Sequence, residues 1–525
     1  MYCQLDAIVT ASQQKFADKV AIDDNKRQLS YAQLEQAINH LAHTFINMGL
    51  KPGQRIAVYL PKQIETVISI LAASRAGLVF VPVNPVLKAA QVAYILNDCN
   101  VKLLITSQQR ATLLGDALQP LADLEHLLLV DKTADADTFS ADLKQQLWPQ
   151  TAEHTYSAPD IPVIDQNLAA ILYTSGSTGQ PKGVCLSHRN LIAGAQSVSQ
   201  YLHNTAEDKI LVVLPLSFDY GLSQITTGLL VGATVVLMEY LLPRDVIRQV
   251  AKHQITGLAA VPPLWIQLAK LEWPAETSCL RYFTNSGGAM PTSTLQQLRA
   301  HLPSAKPYLM YGLTEAFRST YLEPAFIDSH PESIGKAIPN AEVLVLRPDG
   351  TECDVDEPGE LVHRGVHVSL GYWNSPEKTA ERFRPIDSTT NYLPELAVWS
   401  GDTVRRDKDG FLYFIGRQDD MIKCSGYRIS PAELEEALYQ LDGVAEVIAF
   451  GLADEELGQA IKLVVRCDGP LTEQDVKRYC QQQLPNYMQP KYIAFVDQLP
   501  RNPNGKIDRK QIQHEYGTSS APTAS

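Results

Sequence analysis

Between residues 31 and 105, short apolar runs alternate with stretches whose apolar residues recur every three or four positions, and this alternation restricts the chain more than any other feature. Within residues 31–48, Leu34, Ala37, Ile38, Leu41, Ala42, Phe45 and Ile46 fall on one face of a helix. Residues 55–60, 79–83 and 102–105 read as buried strands, and residues 64–76 and 89–98 as the helices between them. That rhythm predicts βαβ units on a parallel sheet. It returns from Ala169 to about Ala300, with further strands expected at 210–215 and 234–238. After Gly335 the texture changes to short strands and glycine turns, at 342–346, 359–364 and 411–415, so a smaller β-rich part is expected. A second α/β pattern begins after Asp420, with a helix at 431–440 and strands at 444–452 and 461–467. Residues 517–525 are small and polar and are expected to fray.

Composition then excludes several classes of function. A chain of 525 residues with 45% hydrophobic and 20% charged content has the make-up of a globular protein with several cores. Its formal charge of -13 and pI near 5.4 argue against a main task of wrapping nucleic acid, which needs Lys and Arg to neutralise phosphates. Any phosphate must be held locally. The eight cysteines form no C-x-x-C pair and no zinc-like spacing, which fits reduced thiols. Asp6, Gln13, Gln14, Lys15, Asp18 and Lys19 interrupt the first 22 residues, so no signal-type apolar stretch is expected there. The most apolar segments, such as 225–238, fall short of the roughly 20 residues a spanning helix needs. A cytoplasmic protein without a membrane span is the expectation.

Local chemistry begins at Tyr173-Thr-Ser-Gly-Ser-Thr-Gly-Gln-Pro-Lys-Gly183, which follows the apolar run 168–172 and precedes a helical pattern near Asn190. Gly176, Gly179 and Gly183 let backbone approach a ligand, Thr174, Ser175, Ser177 and Thr178 add hydroxyls, and Lys182 adds charge. The composition is that of a polyphosphate cradle. It lacks the spacing of a Walker loop and of a dinucleotide fingerprint, and by itself it also reads as a flexible surface loop.

Further segments lie in a fixed order behind it: Tyr311-Gly-Leu-Thr-Glu315, Gly401-Asp402, Gly416-Arg-Gln-Asp-Asp-Met-Ile-Lys-Cys-Ser-Gly-Tyr-Arg428 and Asn502-Pro-Asn-Gly-Lys506. Together these segments make the chain resemble the superfamily of AMP-forming acyl-CoA synthetases, amino-acid adenylation domains and luciferases, from about Leu29 to Lys510. The resemblance implies an α/β fold: a large N-terminal domain, residues 1–418, of two doubly wound α/β subdomains plus a β-rich subdomain. A small mobile α+β C-terminal domain, residues 419–525, follows, with a hinge near Asp419 and a disordered tail from about 515. The pair Asp419-Asp420 also reads as a surface turn.

The roles implied are physically sensible for the residues present. ATP and Mg2+ are the implied cofactors. Thr174, Ser175, Gly176, Ser177, Thr178, Gly179 and Lys182 would face the phosphates, and Gly288, Tyr311 and Gly312 the adenine. Glu315 is a hard oxygen ligand suited to Mg2+, and Thr314 adds a hydroxyl near the α-phosphate. Asp402 can accept from both ribose hydroxyls, with Arg417 donating to the same sugar. Lys506 would bring a positive charge to the carboxylate and α-phosphate as negative charge moves toward pyrophosphate. In a second half-reaction the small domain would swing, withdraw Lys506 and present Lys423, Ser425, Gly426 and Tyr427 to a pantetheine arm.

At the acid-binding end, Leu214-Pro-Leu-Ser-Phe-Asp-Tyr-Gly221 stands where the family's acyl pocket begins. Phe218-Asp219 resembles amino-acid-activating members, in which the aspartate pairs with the substrate's ammonium; such a charge-assisted bond contributes roughly 1.5–3 kcal/mol. Asp219 also reads as the cap of a helix starting near Leu222. Tyr220, Ser223, Thr284, Ser286, Gly287, Met310, Arg318 and Ser319 align with the pocket, a modest cavity; Arg318 reads as a second anchor or as a structural arginine paired with protein carboxylates. The partners implied are a carboxylic or amino acid and the thiol of a phosphopantetheinylated carrier protein or of CoA, with no nucleic acid. A stand-alone L-prolyl-AMP ligase is one such enzyme, and a CoA ligase for a small or medium organic acid is the alternative. A luciferase-like oxidation, a P-loop kinase and a scaffold that kept only the fold are the other readings; the last would not need Lys506 or Glu315.

Overall fold

The computed structural model describes residues 2–133, 139, 143–149, 155–174, 181–386, 395–417, 420–424, 427–454, 457–484 and 486–517, the side chains of Lys423, Tyr427, Arg428 and Tyr487 excepted. The alternating region has folded into α/β layers. One sheet of seven strands runs in the order Lys144–Leu147, His126–Leu129, Val101–Thr106, Arg55–Tyr59, Val79–Pro82, Leu168–Thr174, Lys182–Ser187. All neighbours are parallel except the last pair, an antiparallel hairpin. Its middle strands are buried except at Arg55 and Lys102 because helices such as Ile64–Arg75 cover it, which is why they read as near-continuous apolar runs.

A second sheet has the edge strand Gln28–Ser30, antiparallel to Val20–Asp23, and continues with Thr234–Leu237, Lys209–Val212, Gly257–Ala260, Tyr282–Asn285 and Lys306–Tyr311, all parallel to Val20–Asp23. It does not end there. Thr320–Leu322 and Ser333–Ala337 add on antiparallel, and Ser333–Ala337 pairs onward with Leu412–Arg417, so the β-rich part is continuous with the α/β part. Beyond Ile422 a five-stranded sheet carries the helices Pro431–Tyr439, Glu473–Gln483 and Arg509–Tyr516. The last helix reaches Tyr516 and is anchored by buried Ile512, so Glu515 and Tyr516, expected in the tail, are helical; residues 518–525 lie outside the described residues.

The helix Tyr31–Asn47 begins with a reciprocal cap between Ser30 and Gln33 and buries Leu34, Ile38, Leu41, Ala42 and Phe45. It packs near a buried charge network in which Arg75 donates to Asp6 at 2.8 Å and to Glu35 at 2.7 Å. Among the described residues, clusters of buried apolar side chains either lie before residue 415 or after residue 421, and none spans both.

Candidate active site

At the glycine-rich segment the expected apolar strand, Leu168–Thr174, and a helix from His188 are both present, and a strand not foreseen lies between them: Lys182–Ser187 pairs antiparallel with Leu168–Thr174. Ser175, Gly176, Ser177, Thr178 and Gly179 lie outside the described residues, while Thr174 and Lys182 are cross-strand partners at the loop's two ends. The Lys182 ammonium sits 5.1 Å from the centre of the Tyr372 ring. Burial and the neighbouring cations Lys378 and Arg382 lower its proton affinity, so it is poised to gain from a nearby anion. Tyr372 OH donates to Glu315 Oε1 at 2.6 Å, and one ring thus joins the lysine to the carboxylate. Sequence reasoning missed Tyr372; its signal was the Gly371-Tyr372-Trp373 run, whose Trp373 N–H donates to Gly183 O at 2.7 Å.

Residues expected to face the nucleotide meet at the seam of the second sheet. Tyr311 ends one strand and donates its hydroxyl to Asp402 Oδ2 at 2.5 Å, and Arg417 Nε donates to Asp402 Oδ1 at 3.1 Å. Asp402 and Arg417 are register partners, and each oxygen of buried Asp402 keeps a free lone pair, as the expected acceptance from ribose hydroxyls requires. Burial and Asp402 push the Tyr311 phenol well above its usual range, so it stays a donor. Gly312 lies against the Arg318 backbone, where a side chain would come within 3.2 Å of Arg318 Cα. Next in the chain the short turn Thr314–Ala316 turns Glu315 toward Tyr372 and lets Thr314 Oγ1 donate to Asp219 Oδ1 at 3.4 Å. Phe317, fully buried and at φ 45°, anchors that turn against Gly194.

Asp219 is not the cap of its helix. The helix runs Asp219–Val231 with Phe218 at the cap position, so the carboxylate belongs to the first turn and is buried, facing Thr314. Gly221 makes this turn possible, because a side chain there would lie 2.1 Å from Pro215 O. Tyr220 is buried with its hydroxyl bonded to Thr284 Oγ1. Arg318 stacks on the Tyr220 ring at 4.6 Å, and the expected pairing with protein carboxylates is absent among the described residues. Ser223 and Ser319 are buried with their hydroxyls unpartnered, Ser286 is buried, and Met310 Sδ accepts from Tyr201 OH at 2.9 Å. Gly288 O accepts from Asn285 Nδ2 at 3.0 Å, which fixes the turn beside them.

Lys506 reaches this same place from the far end of the sequence. Its turn is tied by Asn502, which donates its N–H to Lys506 O at 2.8 Å and accepts at Oδ1 from Lys506 N at 3.1 Å. Asn84 Nδ2 donates to Pro503 O at 2.7 Å and pins the turn to the large part; no motif pointed to Asn84. The ammonium of Lys506 lies 4.4 Å from the centre of the Phe218 ring. Its Cε passes Gly287, at φ +81°, so closely that a Cβ there would be 2.5 Å away. Burial, followed by the cations Arg417 and Arg318, lowers its proton affinity, while Asp219 works in the opposite sense. Of the remaining expected residues, Lys423 and Tyr427 lie on the paired strands Ile422–Cys424 and Tyr427–Ile429, and Asp419, Ser425 and Gly426 are outside the described residues.

Comparison with known proteins identifies the family and the fold. The AMP-binding enzyme model matches residues 9–373, and the AMP-binding enzyme C-terminal domain matches residues 433–506. The chain is 31% identical over 95% of its length to a linear gramicidin synthase of Brevibacillus parabrevis, of which it spans only 9%. It is 29% identical over 95% of its length to a long-chain-fatty-acid–CoA ligase of Escherichia coli O157:H7, spanning 92% of that protein. ATP-bound MatB from Rhodopseudomonas palustris superposes with a TM-score of 0.84, at 25% identity over 98% of this chain and 99% of that one. The anthranilate CoA ligase AuaEII in complex with anthranoyl-AMP shares the fold, with a TM-score of 0.86 at 23% identity over 98% and 97% of the two chains. No helix among the described residues is long and apolar enough to cross a membrane. Matched over well more than half its length, the chain belongs to the AMP-binding enzyme family, the adenylate-forming ligases.

Proposed function

We propose that this chain activates an amino acid as its aminoacyl-adenylate and transfers the acyl group to a phosphopantetheine thiol. The observation that supports it is the meeting of Lys506 and buried Asp219 at one pocket, joined through Thr314 to the turn carrying Glu315. A buried carboxylate beside that pocket suits a substrate ammonium, which a plain acid lacks. In the first half-reaction a substrate carboxylate oxygen forms a bond to the α-phosphorus of ATP as the bond from that phosphorus to the bridging oxygen breaks, and pyrophosphate leaves. Lys506 stabilises the charge that builds on the oxygens in between. Asp402 with Tyr311 and Arg417 would hold the ribose, Lys182 the phosphates, and Phe218 one wall of the acid pocket. The donor set suits Mg2+, which is commonly held by one or two carboxylates plus substrate phosphates, and Glu315 would be its protein ligand. Bound there, the ion would offset phosphate charge. In the second half-reaction the thiol sulfur attacks the acyl carbon and AMP leaves, with residues 419–525 as the mobile domain turning about Asp419.

The alternative acceptor is CoA, favoured by the CoA ligases among the relatives and structural neighbours. ATP–pyrophosphate exchange over amino, fatty and aryl acids tests the acid. L-Proline belongs in the panel as a small-pocket amino acid. Thioester formation with CoA against a loaded carrier protein tests the acceptor. Asp219→Ala should lower kcat/KM for amino acids by about 10-fold or more relative to plain acids, in line with the roughly 1.5–3 kcal/mol of a charge-assisted bond. Unchanged relative kinetics would remove the amino-group reading.

A further inference from the structure

One buried cation at the acid-binding end is not used by the chemistry above. Arg318 is 3% exposed, and its Nε and Nη2 are buried without a hydrogen-bond partner. Buried guanidinium donors are ordinarily satisfied, because an unpaired charge in a low dielectric is costly. The same molecule shows how it buries an arginine for structure: Arg75, also 3% exposed, gives its donors to Asp6, Glu35, Asn39 and Thr10. Arg318 has only the face of Tyr220, at 4.6 Å. Its edge is left for something that arrives.

The charges around it say what that is. Arg417 is matched by Asp402, whereas Lys506 lies within electrostatic reach of both Arg318 and the one buried carboxylate of Asp219. A simple amino acid brings one anion and one cation and leaves Arg318 uncompensated. An amino acid with a second carboxylate brings two anions and one cation, the complement of this pocket. Resting on the aminoacyl reading above, we infer that the substrate is an α-amino acid whose side chain ends in a carboxylate. Asp219 would take the ammonium, Lys506 the reacting carboxylate and Arg318 the distal one, with Tyr220 holding the guanidinium plane.

Pyrophosphate exchange by the full chain with L-aspartate, L-glutamate, L-asparagine, L-glutamine, L-proline, L-alanine, glutarate and butyrate decides it. The better of the two dicarboxylic amino acids should exceed its own amide and proline by at least about 10-fold in kcat/KM, the scale of one charged hydrogen bond. Arg318→Met should erase that ratio while leaving the melting temperature unchanged or higher, and Arg318→Lys should keep part of it. A structural arginine would instead lower the melting temperature and leave the acid-to-amide ratio alone. The inference is overturned if proline, alanine or an amide does as well as the dicarboxylic acids, if none of the dicarboxylic acids supports exchange, or if Arg318→Met leaves the ratio intact. The wild-type acid-to-amide ratio decides the matter even where a variant fails to fold. Glutarate matching glutamate would remove the ammonium reading of Asp219, and the glutarate-to-butyrate ratio would still report on Arg318.

Discussion

Lys506 is buried where its own charge is costly to keep, and the role proposed for it has two separate signatures. Lys506→Ala is expected to cut adenylate formation by about 100-fold or more, with thioester formation from supplied acyl-adenylate surviving, since groups of this kind contribute roughly 3 kcal/mol. Equal loss in both half-reactions would contradict the role. The second signature is pH. Burial and the cations Arg417 and Arg318 lower its proton affinity below the ordinary lysine value of 10.5, and only the protonated form carries charge. The kcat/KM for adenylate formation, which reports the free enzyme, should therefore fall on the alkaline side at a pH below 10.5, and a kcat/KM profile with no loss until that value would refute it. The segments carrying Lys506, Glu315, Asp402 and Asp219 could be singled out in the sequence, and the structure places Lys506 near Asp219 and links Asp219 through Thr314 to the turn that carries Glu315. Tyr372 and Asn84 were not legible, because a tyrosine under a lysine and an asparagine on a distant carbonyl acquire meaning only by contact.

Among the elements, helices such as Tyr31–Asn47 and buried strands such as Arg55–Tyr59 followed their periodicity within a residue or two. The hairpin at Lys182 did not, since Lys182–Ser187 is too short for alternation to show and the next helical pattern masks it. The same difficulty hid the first turn of Asp219–Val231, where an aspartate ahead of a helix looks like a cap until Gly221 is seen letting the chain pass under Pro215. Turn geometry can be tested without touching a charged group. Gly287→Ala places a side chain at φ +81° against the Lys506 stem. It should reduce adenylate formation by on the order of 10-fold or more while sparing thioester formation from supplied adenylate, because small misplacements of a reacting group are costly. A variant as fast as the parent would show that Lys506 reaches the acid by another path.

For the whole molecule, the α/β class and the β-rich insert were visible as changes of texture, whereas the pairing of Ser333–Ala337 that fuses them into one sheet joins strands too distant in sequence to be read. Stability at this scale carries a histidine signature. His188, His363 and His367 are buried, and desolvation pushes them down to about 4, about 3 and about 4. Leu5 N–H donates to His188 Nδ1 at 3.2 Å, which suits a neutral ring. Below the ordinary value of 6.5 the unfolded chain takes up protons that the folded chain refuses, so stability falls as pH drops from there toward 4, by roughly 3 kcal/mol per histidine at the end of the window. Urea midpoints at pH 7 and pH 5 measure this, and His363→Leu should flatten the slope by about one proton's worth. An unchanged slope would show that His363 does not contribute.

The two sets of buried apolar clusters, divided near residue 420, bear on how freely the pieces can come apart. Their meeting surface is tied by polar links such as Lys270 to Asp468 and Thr292 N–H to Glu436. Water can replace links of that sort one for one. Among the described residues no apolar cluster is shared across that divide, so the movement proposed for residues 419–525 would lay bare no common oil-filled interior and would escape the penalty that makes ordinary unfolding slow or invites clumping.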